Sequence, residues 1–174
     1  GLDLRSQGSG NAGATNALRI LGARSGIFVF VGDTFKGYFS LYLCNLVLAQ
    51  QENLLFLPSD YLFLSLILSL IGHCYPIWFN FRGGKGAATA LGAFLFIDPY
   101  FVFFPMIGFL LVFLFSRFVG LSTISAFFIL FLQTFFIDHG VHHNFHTFSL
   151  IIFLFIVYTH RSNIQSMYKG TEEK

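Results

Sequence analysis

Long apolar runs separated by short polar segments dominate this chain, a pattern that predicts helices crossing a lipid bilayer. Such a helix needs about 20 mostly apolar residues. Six runs are candidates, and they cover residues 27–49, 61–79, 87–97, 100–115, 121–137 and 147–159. The third run is short. One alternative therefore joins it to the fourth run in a single helix kinked at Asp98-Pro99, because proline bends a membrane helix without necessarily ending it.

The placement of Lys and Arg favours six separate spans. Basic residues accumulate in short cytoplasmic loops. With six spans, every Lys and Arg except Lys36 falls on one side, while the opposite connections at residues 52–60, 98 and 138–146 carry none. The kinked alternative would move Arg117 to the opposite side. We therefore predict an all-α, polytopic transmembrane helix bundle, with residues 1–174 forming a single membrane domain and both termini cytoplasmic.

Composition supports a membrane protein and argues against several classes of soluble protein. Hydrophobic residues make up 55% of the chain and charged residues only 10%, against roughly a quarter charged in a soluble domain. A soluble enzyme, a nucleic-acid binder and a disordered chain all need more polar surface. The net charge of +2 is too small to indicate a polyanionic partner. The lipid bilayer is the predicted partner, and we expect no nucleic acid.

Three polar segments lie between the apolar runs on the predicted cytoplasmic side. The first segment, residues 3–19, is rich in glycine, hydroxyl, amide and guanidinium groups. Glycines allow successive backbone N–H groups to converge on an anion, and a following helix N-terminus adds partial positive charge. This composition is suited to binding phosphate. The alternative is a glycine-rich turn that caps a helix at Thr15 or Asn16.

The second polar segment comprises residues 72–76 and 81–89. Three glycines free its backbone to approach a ligand, and a lysine adds positive charge just before the next helix. The segment is not a Walker A loop, because no glycine lies five residues before the Gly-Lys pair and Gly86 replaces the magnesium-binding Ser or Thr. It is a candidate anion site made of Gly83, Gly84, Lys85 and Gly86.

The third polar segment follows the last apolar run, at residues 160–172. His160 and Asn163 are three residues apart, so on a continuing helix they would share a face and could both point at a substrate. The alternative is that His160 is an interfacial residue, because a histidine at a membrane boundary is more often interfacial than catalytic. Because all three segments lie on one predicted side, we expect them to form a phosphate-binding pocket at the lipid boundary.

Together these segments resemble the bacterial acyl-phosphate:glycerol-3-phosphate acyltransferase family, PlsY. The similarity runs nearly end to end and includes Asp33-x-x-Lys36-Gly37. Members of that family have seven spans, which implies a further span before Gly1. The motifs are Gly8-Ser9-Gly10-Asn11-x-Gly13-Ala14-Thr15-Asn16-x-x-Arg19, Gly72-His73-x-x-Pro76 with Gly83-Gly84-Lys85-Gly86, and His160-Arg161-x-Asn163-Ile164 with Gly170-x-Glu172.

The resemblance implies an enzyme of the bacterial cytoplasmic (inner) membrane that needs no cofactor. It would move a fatty acyl group from acyl phosphate to the 1-hydroxyl of glycerol 3-phosphate, giving lysophosphatidate and phosphate. A soluble acyl-phosphate synthase would supply the donor. Acyl phosphate is a mixed anhydride with a good leaving group, so the enzyme chiefly aligns the hydroxyl and stabilises negative charge. The competing hypothesis is a membrane transporter or channel for organic phosphates.

The resemblance also implies roles for individual residues. It makes Ser9, Arg19, His160 and Asn163 catalytic, and makes Gly83, Gly84, Lys85 and Gly86 the glycerol 3-phosphate loop. Asn11 and Asn16 of the first motif are expected to bind substrate, and Glu172 to maintain structural integrity. The family favours a phosphate oxygen as the base that accepts the hydroxyl proton, and His160 is the alternative base.

The turn at residues 116–122 resembles another family segment, Thr-Arg-Tyr-Val-Ser-Leu-x-Ser. Gly120 stands where that segment has a serine, which leaves Ser122 as a substitute hydroxyl. We expect Arg117 and Ser122 to bind phosphate. The alternative is that Arg117 anchors a span at the lipid headgroups.

Two further charged clusters have structural interpretations. Asp33 and Lys36 lie three residues apart in an apolar run, where isolated charges are costly, so we expect them to pair and face the bundle interior. Four histidines have helical spacing that could suit zinc or copper, but they lie on the predicted extracytoplasmic side. Solvated loop histidines are the favoured interpretation of His139, His142, His143 and His146, and we predict no metal site.

Overall fold

A computed structural model describes residues 3–51, 58–136 and 145–172, and these residues form helices without any strand. Two 3-10 helices cover Leu4–Ser6 and Ile77–Phe79. The eight α-helices, in chain order, are α1 Ala14–Leu21, α2 Ala23–Leu48, α3 Pro58–Cys74, α4 Ala87–Ile97, α5 Tyr100–Ser116, α6 Val119–Gln133, α7 Phe145–Thr159 and α8 Arg161–Tyr168.

The apolar runs of the sequence coincide with helices α2 to α7. By length and composition, α2 and residues Ser59–Phe79 are able to cross a membrane, and α7 with α8 would make a third span despite a bend of 54°. Helices α4, α5 and α6 are apolar but shorter. Large exposed side chains, such as Phe28 of α2 and Phe115 of α5, give the helices apolar surfaces of the kind that contacts lipid. The count of six spans stays a prediction.

The third and fourth apolar runs form two helices rather than one. α4 ends at Ile97 and α5 begins at Tyr100. The Asp98 carboxylate accepts the backbone N–H of Tyr100 at 2.8 Å, which satisfies one of the unpaired donors at the start of α5. Asp98-Pro99 therefore separates two helices, as the distribution of basic residues predicts.

Two compact units make up the chain, Gly1–Phe96 and Ile97–Lys174. In the first unit, α2 and α4 approach backbone to backbone. A Cβ added to Gly37 would collide with the Thr89 carbonyl, and one added to Gly92 would collide with the Thr34 carbonyl. Small residues permit such close contact between membrane helices. The single-domain assignment of residues 1–174 stays a prediction.

The second unit packs around α6 and α7. Phe127 and Leu130 of α6 are buried, as are Ile152 and Ile156 of α7. Three members of the predicted histidine cluster, His139, His142 and His143, lie outside the described residues. The fourth, His146, stacks on Phe135 with ring centroids 4.7 Å apart, which places it in an aromatic contact at the start of α7.

Asp33 and Lys36 pair within α2, with Nζ 2.9 Å from Oδ1. Only the aspartate faces the interior, however. The Asp33 side chain is 8% exposed and the Lys36 side chain 64% exposed. The expectation that both charges face the interior is therefore wrong for Lys36, because its long apolar stem carries the ammonium group away from the packed surface.

Candidate active site

The loop of residues 7–13 is organised around the side chain of Asn16. The Asn16 Oδ1 accepts the Ser9 backbone N–H at 3.0 Å. Its Nδ2 lies 2.9, 3.0 and 2.9 Å from the carbonyl oxygens of Leu4, Gln7 and Asn11. An amide nitrogen has two protons, so one of them is shared between two carbonyls. Asn16 is 2% exposed, and its side chain acts as the internal support of the loop.

Gly8 allows this arrangement. Its φ of +56° lies in the left-handed region, and an added Cβ would collide with the Asn16 Oδ1. Helix α1 begins at Ala14, and its N-cap is Gly13 without a side-chain cap. The alternative of a helix capped at Thr15 or Asn16 is therefore wrong. Asn16 instead shapes the loop, and no open face on its side chain supports direct binding of substrate.

Three other predicted site residues lie around this loop. Ser9 is exposed at the loop surface, and Arg19 is half-buried in the last turn of α1. The Oδ1 of Asn11 is buried and has no hydrogen-bond partner among the described residues. A buried acceptor without a donor is costly, so this oxygen is suited to a donor on a bound molecule, such as a hydroxyl group.

The glycine loop of residues 83–86 is bonded to the end of α3. The Gly83 N–H donates to the Cys74 carbonyl at 3.0 Å, and the Gly84 N–H donates to the His73 carbonyl at 3.3 Å. Helix α4 then begins at Ala87. Lys85 is half-buried and lies just before this N-terminus, where the helix dipole favours an anion.

Arg5 joins the first two polar segments. Its Nε donates to the Arg82 carbonyl at 2.8 Å. Its guanidinium carbon lies 4.0 Å from the centroid of the Phe79 ring, and its Nη1 is 3.2 Å from the Asp3 carboxylate. Arginine suits this position because its planar head can donate a hydrogen bond and stack on an aromatic ring together. The structure therefore holds the loops at residues 7–13 and 83–86 in one unit.

His160 stands at the break between α7 and α8. The bend of 54° corrects the expectation of a continuing helix. Even so, the Ile164 N–H donates to the His160 carbonyl at 3.1 Å, so helical spacing resumes from His160 onward. The His160 Nδ1 lies 2.8 Å from the Ile156 carbonyl. A carbonyl only accepts, so Nδ1 carries a proton, and in the neutral ring Nε2 is the basic nitrogen.

Asn163 and Glu172 are brought together by the end of α8. The Asn163 Nδ2 donates to the Glu172 Oε1 at 2.6 Å. The chain reverses at Gly170, whose φ is +69°, with the Thr171 N–H donating to the Ser166 carbonyl at 2.9 Å. This is the bonding of a Schellman motif. Glu172 thus contacts a predicted catalytic residue directly, which its expected role in structural integrity did not anticipate.

The turn before α6 lies against α8 at Asn163. Arg117 is exposed and caps the end of α5. A Cβ added to Gly120 would lie 2.7 Å from the Asn163 Cβ. Glycine at this position therefore lets α8 place Asn163 directly against α6. The structure brings together the turn and the third polar segment within the second unit.

Over residues 3–51, 58–136 and 145–172, no three His, Cys, Asp or Glu side chains are close enough to hold a metal ion. Within each unit, the polar segments carry backbone amides, carboxamides, hydroxyls and cationic side chains. These groups bind phosphate and carbonyl oxygens.

Comparison with known proteins identifies the family. A sequence model described as Glycerol-3-phosphate acyltransferase matches residues 1–170. The chain belongs to this family. It is 39% identical to the glycerol-3-phosphate acyltransferase of Fusobacterium nucleatum, over 100% of this chain and 84% of that protein. It is 37% identical to the enzyme of Aquifex aeolicus, over 100% of this chain and 86% of that protein.

Solved structures agree with the family assignment. The crystal structure of PlsY, an integral membrane glycerol 3-phosphate acyltransferase in its glycerol 3-phosphate form, has a TM-score of 0.86 at 36% identity. It covers 100% of this chain and 82% of that one. The lysophosphatidic acid form has a TM-score of 0.81 at 35% identity, over 95% of this chain and 80% of that one. These results confirm the resemblance drawn from the motifs, the all-α membrane fold class and the glycerol-3-phosphate acyltransferase function.

One departure from the family pattern has a structural explanation. The family serine missing at Gly120 would meet Asn163. Its expected substitute, Ser122, is fully buried, and its hydroxyl donates to the carbonyl of Phe118, the N-cap of α6, at 2.8 Å. This location does not support binding of substrate by Ser122, and we leave it out of the proposed acyltransferase site.

Two residues of this acyltransferase are more prominent in the structure than the sequence indicates. In the sequence, Arg5 is recognisable only as a basic residue, because the carbonyl to which it donates lies 77 positions away. His73 belongs to a family motif but was given no role. Its imidazole lies between the Asp33 carboxylate and Gly84. Only the folded chain reveals either contact.

Proposed function

We propose that this acyltransferase uses acyl phosphate as its donor and acylates the 1-hydroxyl of glycerol 3-phosphate. The products are lysophosphatidate and inorganic phosphate. The observation that carries the proposal is the hydrogen bond from Arg5 to the Arg82 carbonyl, which joins the segments that lead into two glycine-rich loops, residues 7–13 and 83–86. Both loops precede a helix N-terminus, so both favour phosphate oxygens. A relative with 36% identity has a glycerol 3-phosphate form.

Glycerol 3-phosphate binds at the loop of residues 83–86 in this proposal. The N-terminus of α4 and the Lys85 ammonium favour its dianionic phosphate. Arg19 counters further negative charge. The buried Oδ1 of Asn11 accepts a hydrogen bond from a substrate hydroxyl, which satisfies the one buried acceptor of this loop that lacks a donor.

The transfer itself needs alignment and charge stabilisation. The 1-hydroxyl oxygen attacks the acyl carbon, a new C–O ester bond forms, and the acyl–phosphate bond breaks as phosphate leaves. The hydroxyl proton passes to a phosphate oxygen, and His160 Nε2 is the alternative acceptor because Nδ1 is committed to Ile156. Ser9 and Asn163 orient polar oxygens during this step. Because acyl phosphate already carries a good leaving group, no covalent acyl-enzyme is required.

Location and partners follow from the chemistry. The lysophosphatidate product carries an acyl chain and belongs in a bilayer, whereas glycerol 3-phosphate is water-soluble. We place the enzyme in the bacterial cytoplasmic (inner) membrane, with its polar loops and its C-terminal segment on the cytoplasmic side, where basic residues accumulate. Arg117 then contacts phosphate or anchors α5 at the headgroups. A soluble acyl-phosphate synthase is the proposed source of the donor.

The deciding experiment is an acyl-transfer assay with purified protein in lipid nanodiscs. Acyl phosphate, acyl-CoA and acyl carrier protein thioester are compared as donors to labelled glycerol 3-phosphate. We expect lysophosphatidate from acyl phosphate alone. Equal or faster transfer from a thioester would overturn the donor assignment. Uptake of labelled glycerol 3-phosphate into protein-containing vesicles, without any lipid product, would instead favour a transporter.

Lys85→Ala tests the binding loop in the same assay. We expect the KM for glycerol 3-phosphate to rise about tenfold or more while kcat changes less, because a charge that binds substrate and transition state alike is lost. Lys169→Ala is the matched control, since Lys169 is exposed at the end of α8. An unchanged KM in the Lys85 variant would remove this residue from the site.

A further inference from the structure

His73 lies in the last turn of α3, directly below the glycine loop. Its side chain is 10% exposed, and its Nδ1 lies 3.6 Å from the Oδ1 of Asp33, whose side chain is 8% exposed. Asp33 belongs to α2, so this contact joins two helices. The carboxylate is shared, because the Lys36 Nζ also lies 2.9 Å from the same oxygen.

The other side of the His73 ring faces Gly84. A Cβ added to Gly84 would collide with the ring, closest to Nε2 and then to Cε1 and Cδ2. The imidazole therefore occupies the space that any side chain at position 84 would need. The backbones of the two residues are also in contact, since the Gly84 N–H donates to the His73 carbonyl at 3.3 Å. One residue thus contacts the loop through its ring and its main chain.

We propose that His73 is a positioning residue, fixed by Asp33, whose ring sets the height and orientation of the loop at residues 83–86. The inference rests on the proposed function, in which that loop binds glycerol 3-phosphate. His73 contacts the loop backbone rather than the reacting atoms. Its effect on the reaction passes through Gly84 and the neighbouring Lys85, so a change at His73 alters binding of one substrate.

Glycine 83 provides an internal contrast. A Cβ added there would collide with the His73 carbonyl, and would lie 2.7 Å from the Pro76 Cδ and 2.8 Å from the Cys74 carbonyl. These obstacles are backbone atoms and a proline ring, which the side chain of His73 does not supply. Removal of the imidazole therefore relieves the steric clash of an alanine at position 84 but not that of an alanine at position 83.

The test is a double-mutant cycle in the acyl-transfer assay. We expect His73→Ala and Gly84→Ala each to raise the KM for glycerol 3-phosphate about tenfold, with kcat and the KM for acyl phosphate within about twofold of wild type. In the double variant the KM should be no higher than in the worse single variant, because both changes address one contact. Asp33→Asn should raise the same KM in the same direction.

Two glycine substitutions serve as controls. The combination of Gly83→Ala with His73→Ala should be at least as impaired as Gly83→Ala alone. Gly32→Ala introduces a methyl group next to Asp33, where an added Cβ meets nothing within 4 Å, and it should leave both KM values unchanged. Thermal unfolding of every variant is measured alongside.

Each outcome bears on a different statement. Wild-type protein without acyl transfer would overturn the proposed function itself. With active wild type, independent multiplication of the His73 and Gly84 effects, or an unchanged KM, would overturn the positioning role. A fall in kcat and thermal stability without a selective rise in this KM would also overturn it, because that is the result of a general structural role. If His73→Ala does not fold, Asp33→Asn and Gly84→Ala decide the matter by the same KM criterion.

Discussion

The loop of residues 7–13 and the segment of residues 160–172 both carry predicted site residues, but they are held in different ways. In the loop, the buried carboxamide of Asn16 makes four hydrogen bonds to the backbone. The Asn16 side chain accepts from one backbone N–H and donates to three carbonyls. Much of the loop's internal support therefore comes from one side chain, whose bonds form or break together.

In the segment of residues 160–172, three separate contacts share this task. The His160 ring bonds to the Ile156 carbonyl, Asn163 bonds to Glu172, and the turn at Gly170 closes α8. Each contact involves different atoms. Linked hydrogen bonds strengthen one another and fail together, whereas independent contacts fail one at a time. The loop of residues 7–13 should therefore be the more fragile of the two.

The largest effect is expected from Asn16→Asp. This change keeps the shape of the side chain but replaces the donating NH₂ with an oxygen that faces three carbonyls. We expect kcat/KM to fall by about two orders of magnitude, because three partly buried carbonyl acceptors lose their donor at once. Asn80→Asp is the control, since Asn80 is exposed in a left-handed turn that aspartate tolerates.

Steady-state acyl transfer and thermal unfolding measure the Asn16 result. A fall in kcat/KM of less than about fivefold would contradict this prediction, because the loop would then have sufficient support without the Asn16 side chain. The bonds of Asn16 would in that case resemble the independent contacts of the second unit.

A smaller effect is expected from Glu172→Gln. The amide keeps the length of the side chain but removes the charge that strengthens the 2.6 Å bond to Asn163. We expect kcat to fall about tenfold, with a small change in thermal stability. Asn163→Ala combined with Glu172→Gln should be no worse than Asn163→Ala alone, as measured by single-turnover transfer. Independent effects would show that Glu172 acts elsewhere.

The smallest effect is expected from Gly170→Ala. A Cβ at this position meets nothing within 4 Å, so the cost comes only from the φ of +69°. We expect a loss of about 1 kcal/mol in the free energy of unfolding and a kcat within about twofold of wild type, by denaturant titration and assay. A tenfold loss of kcat would contradict this, and would show that the segment fails as a unit like the loop of residues 7–13.

Apolar run lengths predicted the helices well, whereas the partners of polar side chains were harder to predict. Asn16 was expected to bind substrate because it belongs to the first motif. Its role as a support depends on the turn geometry of residues 4–11, which no periodic pattern specifies. Ser122 was expected to replace a missing hydroxyl, but helical spacing directs its hydroxyl to the carbonyl of Phe118, four residues earlier. Lys36 pairs with Asp33 as expected, yet it leaves the interior.

The sequence by itself determined the solvent and the family. Apolar runs too long and too poor in charge for a soluble domain require a lipid environment, and three ordered motifs specify a glycerol-3-phosphate acyltransferase. Only the tertiary structure decided what holds the motifs in place. Arg5 donates to a carbonyl 77 positions away, and the His73 ring occupies the space that a side chain at position 84 would need. Such contacts join residues that are distant in the chain, so they exist only once the helices have packed.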